Sequence, residues 1–328
     1  MDTLAAIRRP IESDLAQYEE FVRRFFQAET EPLRSILEYV ISNRGKGVRP
    51  MLVLLAAGMF ARNPQAGASH RTLLAASIVE MLHTASLIHD DVIDESNMRR
   101  GKPSVNAMWQ SRNAVLVGDY ILAKTFANGM HSGQYDIVTH VVGAIGELCE
   151  GELMQSAHSR ALDMTRDAYL DVIYKKTATL LGISSSVGAL TVGATSQQVA
   201  EMRRFGDCIG MAFQIKDDIL DYTPDAETGK PSGNDLLEHK ITLPMLCVLE
   251  ECSDEERSEI INQIRNCTTE DQSVALQEMV ASRGGIEAAE RTMRQYIESA
   301  TRILSHYPPS EYRDSLMTLC AYIGERNR

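Results

Sequence analysis

The chain is short of several things, and each shortage excludes a class of protein. Positive charge is scarce: 33 Lys and Arg stand against 45 Asp and Glu, a net charge of −12 over 328 residues. Nucleic-acid binding is driven by phosphate neutralisation, so no nucleic-acid partner is expected. An anionic substrate would need a local basic patch or a bound metal. Long apolar runs are missing. The longest, Met51 to Ala61, falls short of the ~18–20 residues that span a bilayer, so no transmembrane segment is expected. The opening MDTLAAIRRPIESD has no apolar stretch, which argues against a secretory signal. The cysteines at 149, 208, 247, 252, 267 and 320 form no CxxC pair, leaving zinc and thioredoxin-type chemistry unsupported. Scattered cysteines suit a reducing compartment, so the expected location is cytoplasmic. No alternating β pattern runs beyond a few residues, and there is no fixed-period repeat, low-complexity tract or long linker.

What is abundant is helix. Ala, Leu, Met, Glu, Gln and Arg dominate, with apolar residues recurring at spacings of three and four. The pattern predicts helices over Tyr18–Phe26, from Pro32 to about Ser42, from near Pro50, and over Thr72–Asp94. Further helices are expected at about 107–128, 135–160, 167–192, 197–222, 240–251, 254–265, 269–282, 285–305 and 310–326. Arg99–Ser104 and Thr223–His239 read as polar loops. The expected architecture is all-α, a single domain over residues 1–328.

The chemistry concentrates in His89-Asp90-Asp91-Val92-Ile93-Asp94. Asp90 and Asp94 share one helix face, about 5.4 Å apart along the axis, and Asp91 is adjacent to Asp94. One such DDxxD is often only a solvated face. Here the pattern recurs 127 residues later as Asp217-Asp218-Ile219-Leu220-Asp221, again ending an apolar helix. Two acidic triplets on hydrophobic helices make an oxygen-rich cage without His or Cys, which selects Mg²⁺ or Mn²⁺. Mg²⁺ takes only one or two carboxylates and completes its shell from water and substrate phosphates, so a phosphate-bearing substrate is implied. Basic residues recur in small groups: Lys46 and Arg49 in the GKGVRP turn, Arg99 and Arg100 five and six residues after the first triplet, Lys175 and Lys176 in mid-helix, Lys230 in the loop after the second triplet, and Lys240 ten residues further on. In so acidic a chain these read as anion sites.

These segments resemble the trans-isoprenyl diphosphate synthases, or polyprenyl synthetases, of the medium and long-chain, octaprenyl-like kind. GKGVRP, HTASLIHDDVIDESNMRRGKPSVN, VGDYILAKTF, GELMQ, YKKTATL and FQIKDDILDYTPDAETGKPSGNDLLEHKITLP occur in that family's order. The resemblance implies an isoprenoid synthase helical bundle around a deep central cavity, with the triplets facing each other. It implies Mg²⁺ as cofactor, three ions in all with Mn²⁺ the alternative, on Asp90, Asp94 and Asp217. Asp91, Asp218 and Asp221 would hold metal-bound water. Arg99, Lys176 and Lys230 would grip an allylic diphosphate, and Lys46, Arg49, His83 and Arg100 isopentenyl diphosphate. Thr177 and Gln214 would line the carbocation site with oxygens, and Lys240 would close it. A homodimer is implied, with the helix around Val115–Phe126 at its interface, and membrane contact only in passing as product leaves. In the implied reaction the allylic C–O bond ionises, the double bond of isopentenyl diphosphate attacks, and the freed diphosphate takes the lost proton. The 6% aromatic content fits an aliphatic tunnel.

The chain departs from the family pattern at three places. Arg44 stands where a Gly is common, Gly47 where a basic residue is common, and His239 where a Gly precedes the lysine. The second leaves one corner of the isopentenyl site a cation short. Product length is expected from the residues four and five before Asp90, Ser86 and Ala85. Aromatics there would stop growth at C15, whereas these small side chains predict a longer product. Tyr120, Phe126, Met130 and His131 are candidates for the tunnel end. The alternatives are a geranylgeranyl or farnesyl synthase, or a class I terpene cyclase, whose second motif is typically mixed rather than DDILD. A silent partner subunit should have lost part of a triplet. A di-iron bundle needs two Glu-x-x-His pairs, and only Glu80–His83 is present.

Overall fold

The structure, a computed structural model, describes residues 3–223 and 233–326. Among these the chain forms sixteen α-helices and one two-stranded hairpin. The first seven helices are α1 (Thr3–Arg8), α2 (Glu12–Phe25), α3 (Leu33–Ser42), α4 (Val48–Phe60), α5 (His70–Ile93), α6 (Val105–His131) and α7 (Tyr135–Ala161). They are followed by α8 (Arg166–Ile173), α9 (Thr179–Thr191), α10 (Ser196–Asp221), α11 (Asn234–Leu237) and α12 (Leu243–Glu251). The last are α13 (Asp254–Arg265), α14 (Glu270–Ser282), α15 (Gly285–Ser305) and α16 (Glu311–Glu325). The hairpin pairs β1 (Met98–Arg99) with β2 (Lys102–Pro103), antiparallel. The expected all-α class is therefore what the chain adopts.

The described residues fall into two compact units. The first comprises Met1–Ile145, Ile183–Arg203 and Pro308–Leu316. Its axis is α5, which packs chiefly on α6 and then on α4. Leu74, Ile78, Met81, Leu82, Ala85 and Ile88 are all buried, and Met51–Ala57 of α4 bury as one run. Helix α5 starts sharply because the Ser69 side chain accepts the Thr72 N–H, a cap worth ~1 kcal/mol. Among the described residues it is the one helix long and apolar enough to cross a bilayer, but 72% of that stretch is buried inside the protein. A core helix passes the same test of length and composition.

The second unit comprises Gly146–Gly182, Arg204–Tyr307 and Met317–Arg328. Here α12, buried from Leu243 to Leu249, packs on the apolar stripe of α15 formed by Ala289, Met293, Ala300 and Leu304. Helices α13 and α14 begin where predicted because each carries a capping box, Ser253 with Glu256 and Thr269 with Gln272.

Several elements differ from the periodicity. The helix expected at 167–192 is interrupted at Tyr174–Ala178 by one π-helical turn. Apolar spacing carries no mark of a single inserted residue. The helix expected from 240 starts at Leu243, with Thr242 extended at φ −106° and Pro244 in the first turn. Thr3–Arg8 and a 3₁₀ turn at Arg9–Ile11 form where no helix is expected. Short strands flank Arg100-Gly101 within the expected Arg99–Ser104 loop.

Candidate functional site

In the first unit, Asp90 and Asp94 occupy the C-terminal turn of α5. Asp94 is the capping residue, its N–H donating to the Asp90 carbonyl at 2.8 Å. Asp90 is half-buried and Asp94 exposed. Asp91 turns the other way. It is 3% exposed and accepts the Arg99 Nε–H at 2.9 Å.

A cavity of about 70 Å³ lies beside this helix end, lined among others by Arg44, Glu80, His83, Arg99, Arg100 and Lys102. Its cations come from two directions, the α3–α4 turn and the hairpin, while α5 brings Glu80 and His83. Arg100 takes a left-handed φ of 54°, and its guanidinium lies against Gly45 so closely that a β-carbon there would strike it. Gly45 is thus required by the close approach, and Gly47 by its own φ of +63°. Gly47 brings no charge to this corner, but Arg44 lines the same cavity, its guanidinium 5.5 Å from the Tyr18 ring centroid. Arg44 thus brings to this cavity a charge that Gly47 does not. Lys46 is exposed, and its carbonyl accepts from the Arg8 guanidinium.

Glu80 is the residue that sequence reasoning missed. It is 5% exposed, and its Oε2 and the Arg49 Nε are both buried without a hydrogen-bond partner. Burial raises the Glu80 carboxyl above its usual range, while Arg49, Arg44 and Arg100 pull it back. Burial also lowers Arg49, to about 10, against the support of Glu80. Desolvation, and behind it the charge of Arg49, Arg100 and Arg99, holds His83 well below its usual value. His83 is therefore a neutral ring among guanidinium groups. The signal for Glu80 was a charged residue inside an apolar run of α5, one helical turn before His83.

In the second unit, the π-turn Tyr174–Ala178 carries Lys176 and Thr177. It is gripped between two glycines. A β-carbon on Gly151 of α7 would come within 3.0 Å of the Lys176 backbone nitrogen, and one on Gly210 of α10 would collide with Ala178. Lys176 Nζ contacts Glu152 Oε2 at 2.5 Å and Gln155 Oε1 at 2.6 Å, both from the GELMQ segment. Thr177 donates to Gln214 Oε1 at 2.7 Å. These residues share a cavity of about 150 Å³ with Tyr169, Asp218, Asp235 and Lys240. Lys240 pairs with Glu238, after His239 in a left-handed φ of 57°. The His239 ring nitrogen bonds the Ile264 carbonyl at 2.9 Å, an anchor a glycine could not provide.

The second triplet divides its duties. Asp217 is half-buried and meets the Arg326 guanidinium at 2.6 Å, which stacks 3.9 Å over the Phe213 ring. Asp218 accepts from Tyr169 Oη at 2.6 Å and from Gln214 Nε2 at 2.8 Å. Burial and the Asp235 carboxylate push Asp218 up, and those two donors pull it down. Asp221 accepts three backbone N–H groups, from Gly233, Asn234 and Asp235, and so fixes the start of α11. Burial likewise raises Asp235, to about 7. The three acids expected to hold metal-bound water are thus each engaged by protein donors. Lys230 lies outside the described residues.

The donor set fits a hard cation. The three expected ligands are all carboxylates on helix ends, and Asp217 already holds a cationic group. Among the described residues no three His, Cys, Asp or Glu side chains form a closed cage. Such open carboxylates suit Mg²⁺, which draws most of its shell from water and phosphate.

Ser86 and Ala85, one turn before the first triplet, also separate. Ala85 is wholly buried, while Ser86 is half-buried with its hydroxyl on the His83 carbonyl at 2.9 Å. On α6, Tyr120 and Phe126 are half-buried, and Met130 and His131 are exposed.

Comparison with known proteins agrees with these features. The family model described as Polyprenyl synthetase matches residues 30–281. An all-trans-nonaprenyl-diphosphate synthase (geranyl-diphosphate specific) of Rhodobacter capsulatus is 35% identical, covering 95% of each chain. Heptaprenyl diphosphate synthase component 2 of Geobacillus stearothermophilus is 35% identical, covering 99% of each. The crystal structure of a polyprenyl synthase from Caulobacter crescentus CB15, complexed with calcium and isoprenyl diphosphate, matches with a TM-score of 0.89. It is 29% identical and the match covers 99% of this chain and 98% of that one. The chain therefore belongs to the polyprenyl synthetase family, and it is a prenyltransferase.

Proposed function

We propose that the chain condenses isopentenyl diphosphate with an allylic diphosphate to make an all-trans polyprenyl diphosphate longer than C15. The observation that carries this reading is an acidic helix end, Asp90 and Asp94, beside a cavity lined by Arg44, Arg99, Arg100 and Lys102. Small Ser86 and Ala85 and the long-chain products in the relatives' names support the length. The 328 residues act as one synthetase domain.

Lys46, Arg49, neutral His83 and Arg100 bind isopentenyl diphosphate, and Arg99, Lys176 and Lys230 bind the allylic diphosphate. Asp90, Asp94 and Asp217 would hold Mg²⁺, three ions in all with Mn²⁺ the alternative, and the bound metal supplies charge stabilisation for the leaving diphosphate. The allylic C–O bond breaks and its electron pair leaves with diphosphate. Thr177 and Gln214 present oxygens to the allylic cation, and Lys240 closes the site. The double bond of isopentenyl diphosphate forms the new C–C bond, and the freed diphosphate accepts the proton whose loss restores a double bond. No side-chain nucleophile is needed.

A second copy covers α6 around Val115–Phe126, where Val115 and Leu116 are 40% and 57% exposed. The six cysteines are unbridged, which supports a cytosolic location, with membrane contact only during product release.

The test is a product assay with farnesyl diphosphate, isopentenyl diphosphate and Mg²⁺ against an EDTA control, resolved by mass spectrometry. An EDTA-sensitive ladder beyond C15 is expected, and a ladder stopping at C15 or a cyclic product overturns the reading. Asp90→Ala and Asp217→Ala are each expected to abolish turnover with the circular dichroism melt retained. Full activity in both would remove the metal assignment. Light scattering of the purified chain is expected to give a dimer.

A further inference from the structure

Four side chains of the second unit form one unbroken line of hydrogen bonds. Tyr169 donates to Asp218 Oδ2 at 2.6 Å, Gln214 Nε2 to Asp218 Oδ1 at 2.8 Å, and Thr177 Oγ1 to Gln214 Oε1 at 2.7 Å. Tyr169 is 2% and Asp218 5% exposed, so each meets the other inside the fold at the wall of the cavity. The direction of the line follows from chemistry. A carboxylate only accepts, so Gln214 must turn its NH₂ toward Asp218 and its carbonyl toward Thr177. Thr177 then spends its single proton on Gln214. Both lone pairs of its oxygen stay available on the side of the cavity that Thr177 and Gln214 line with Lys176 and Lys240.

We infer that Tyr169 is a positioning residue for the condensation: through Asp218 it fixes the Gln214 amide and so keeps the Thr177 oxygen aimed as an acceptor at the developing allylic cation. This rests on the proposed roles of Thr177 and Gln214. Tyr169 holds no diphosphate, and its hydroxyl is committed to Asp218. Without it, Asp218 Oδ2 loses the one side-chain donor that holds it in this orientation. The carboxylate then turns in search of another donor, which frees the amide to flip. A flipped amide donates to Thr177 and turns that hydroxyl's proton into the cavity, where it repels a cation.

The test is a double-mutant cycle on the full chain, with kcat and the KM for each diphosphate measured separately. Tyr169→Phe keeps the ring and its packing. Its kcat is expected to fall about tenfold, the effect of one buried group left unpaired, with both KM values within about twofold. Thr177→Val is expected to lower kcat by itself, and the double variant to fall no further than Thr177→Val, because both changes disable one oxygen. Multiplying losses would mean that Tyr169 acts independently of Thr177 and would overturn the inference. Wild-type kcat in Tyr169→Phe beside an impaired Thr177→Val overturns it too, leaving the role of Thr177 standing. Wild-type kcat in Thr177→Val overturns the role of Thr177, and the inference with it. If Tyr169→Phe does not fold, Asp218→Asn takes its place in the cycle. The asparagine keeps the volume, turns its NH₂ to Gln214 and inverts the line, and the same non-additivity with Thr177→Val is expected.

Discussion

At the residue scale, the proposed isopentenyl site is a problem of packing cations together. Arg44, Arg99 and Arg100 line one small cavity, and Arg49 is buried close enough to Glu80 to pull its carboxyl down. Glu80 offsets their mutual repulsion from below. His83 cannot add a charge there, because desolvation and three arginines keep it neutral. This has a sign. The folded His83 is depressed below the ordinary 6.5, so below that pH the unfolded chain binds more protons and stability falls on acidification. His83→Gln, which keeps a neutral donor and cannot titrate, is expected to flatten the fall in melting temperature between about pH 6.5 and 5 relative to wild type. It should also hold the KM for isopentenyl diphosphate within about threefold, where His83→Ala raises it about tenfold. Identical pH slopes for wild type and His83→Gln would show that His83 is not the buried neutral group.

At the element scale, the π-turn Tyr174–Ala178 explains why two glycines sit far apart in sequence. Gly151 lets α7 approach the backbone of Lys176, and Gly210 lets α10 approach Ala178. Gly210→Ala overpacks that contact and is expected to cost about 1–3 kcal/mol in urea unfolding and to lower kcat by moving Thr177. Gly146→Ala on α7 is the control. A β-carbon there meets nothing within 4 Å, so stability should hold or rise by up to about 1 kcal/mol. Equal behaviour of the two variants would mean that the turn does not depend on the close approach. Most helices were legible because their apolar spacing and ends carry chemistry: Ser253 and Thr269 start α13 and α14 with capping boxes, and Asp94 closes α5. The π-turn was not legible, since its causes are two glycines on other helices. The acid triplets could be read from repetition within the chain, whereas Glu80 and Tyr169 gain meaning only from neighbours that folding brings to them.

At the scale of the whole molecule, a chain of net charge −12 still gathers Arg44, Arg99, Arg100 and Lys102 around one cavity. Product length is proposed to depend on two small side chains of α5 that differ in surroundings. Ala85 is wholly buried, so Ala85→Phe forces a ring into packed core and is expected to cost about 1–3 kcal/mol or more of stability before it bears on length. Ser86 is half-buried one turn before Asp90, and its hydroxyl is spent only on the His83 carbonyl of its own helix. Ser86→Phe gives up that local bond, leaves the core intact, and places a ring one helical turn (~5.4 Å) below the Asp90 carboxylate. Its product ladder is expected to collapse toward C15 while the rate of the first condensation stays within about threefold of wild type, because the diphosphate contacts are untouched. The measurement is mass spectrometry of products from both variants alongside thermal melts. A Ser86→Phe ladder as long as wild type would show that chain length is set elsewhere, and the half-buried Tyr120 and Phe126 of α6 would be the next positions to change.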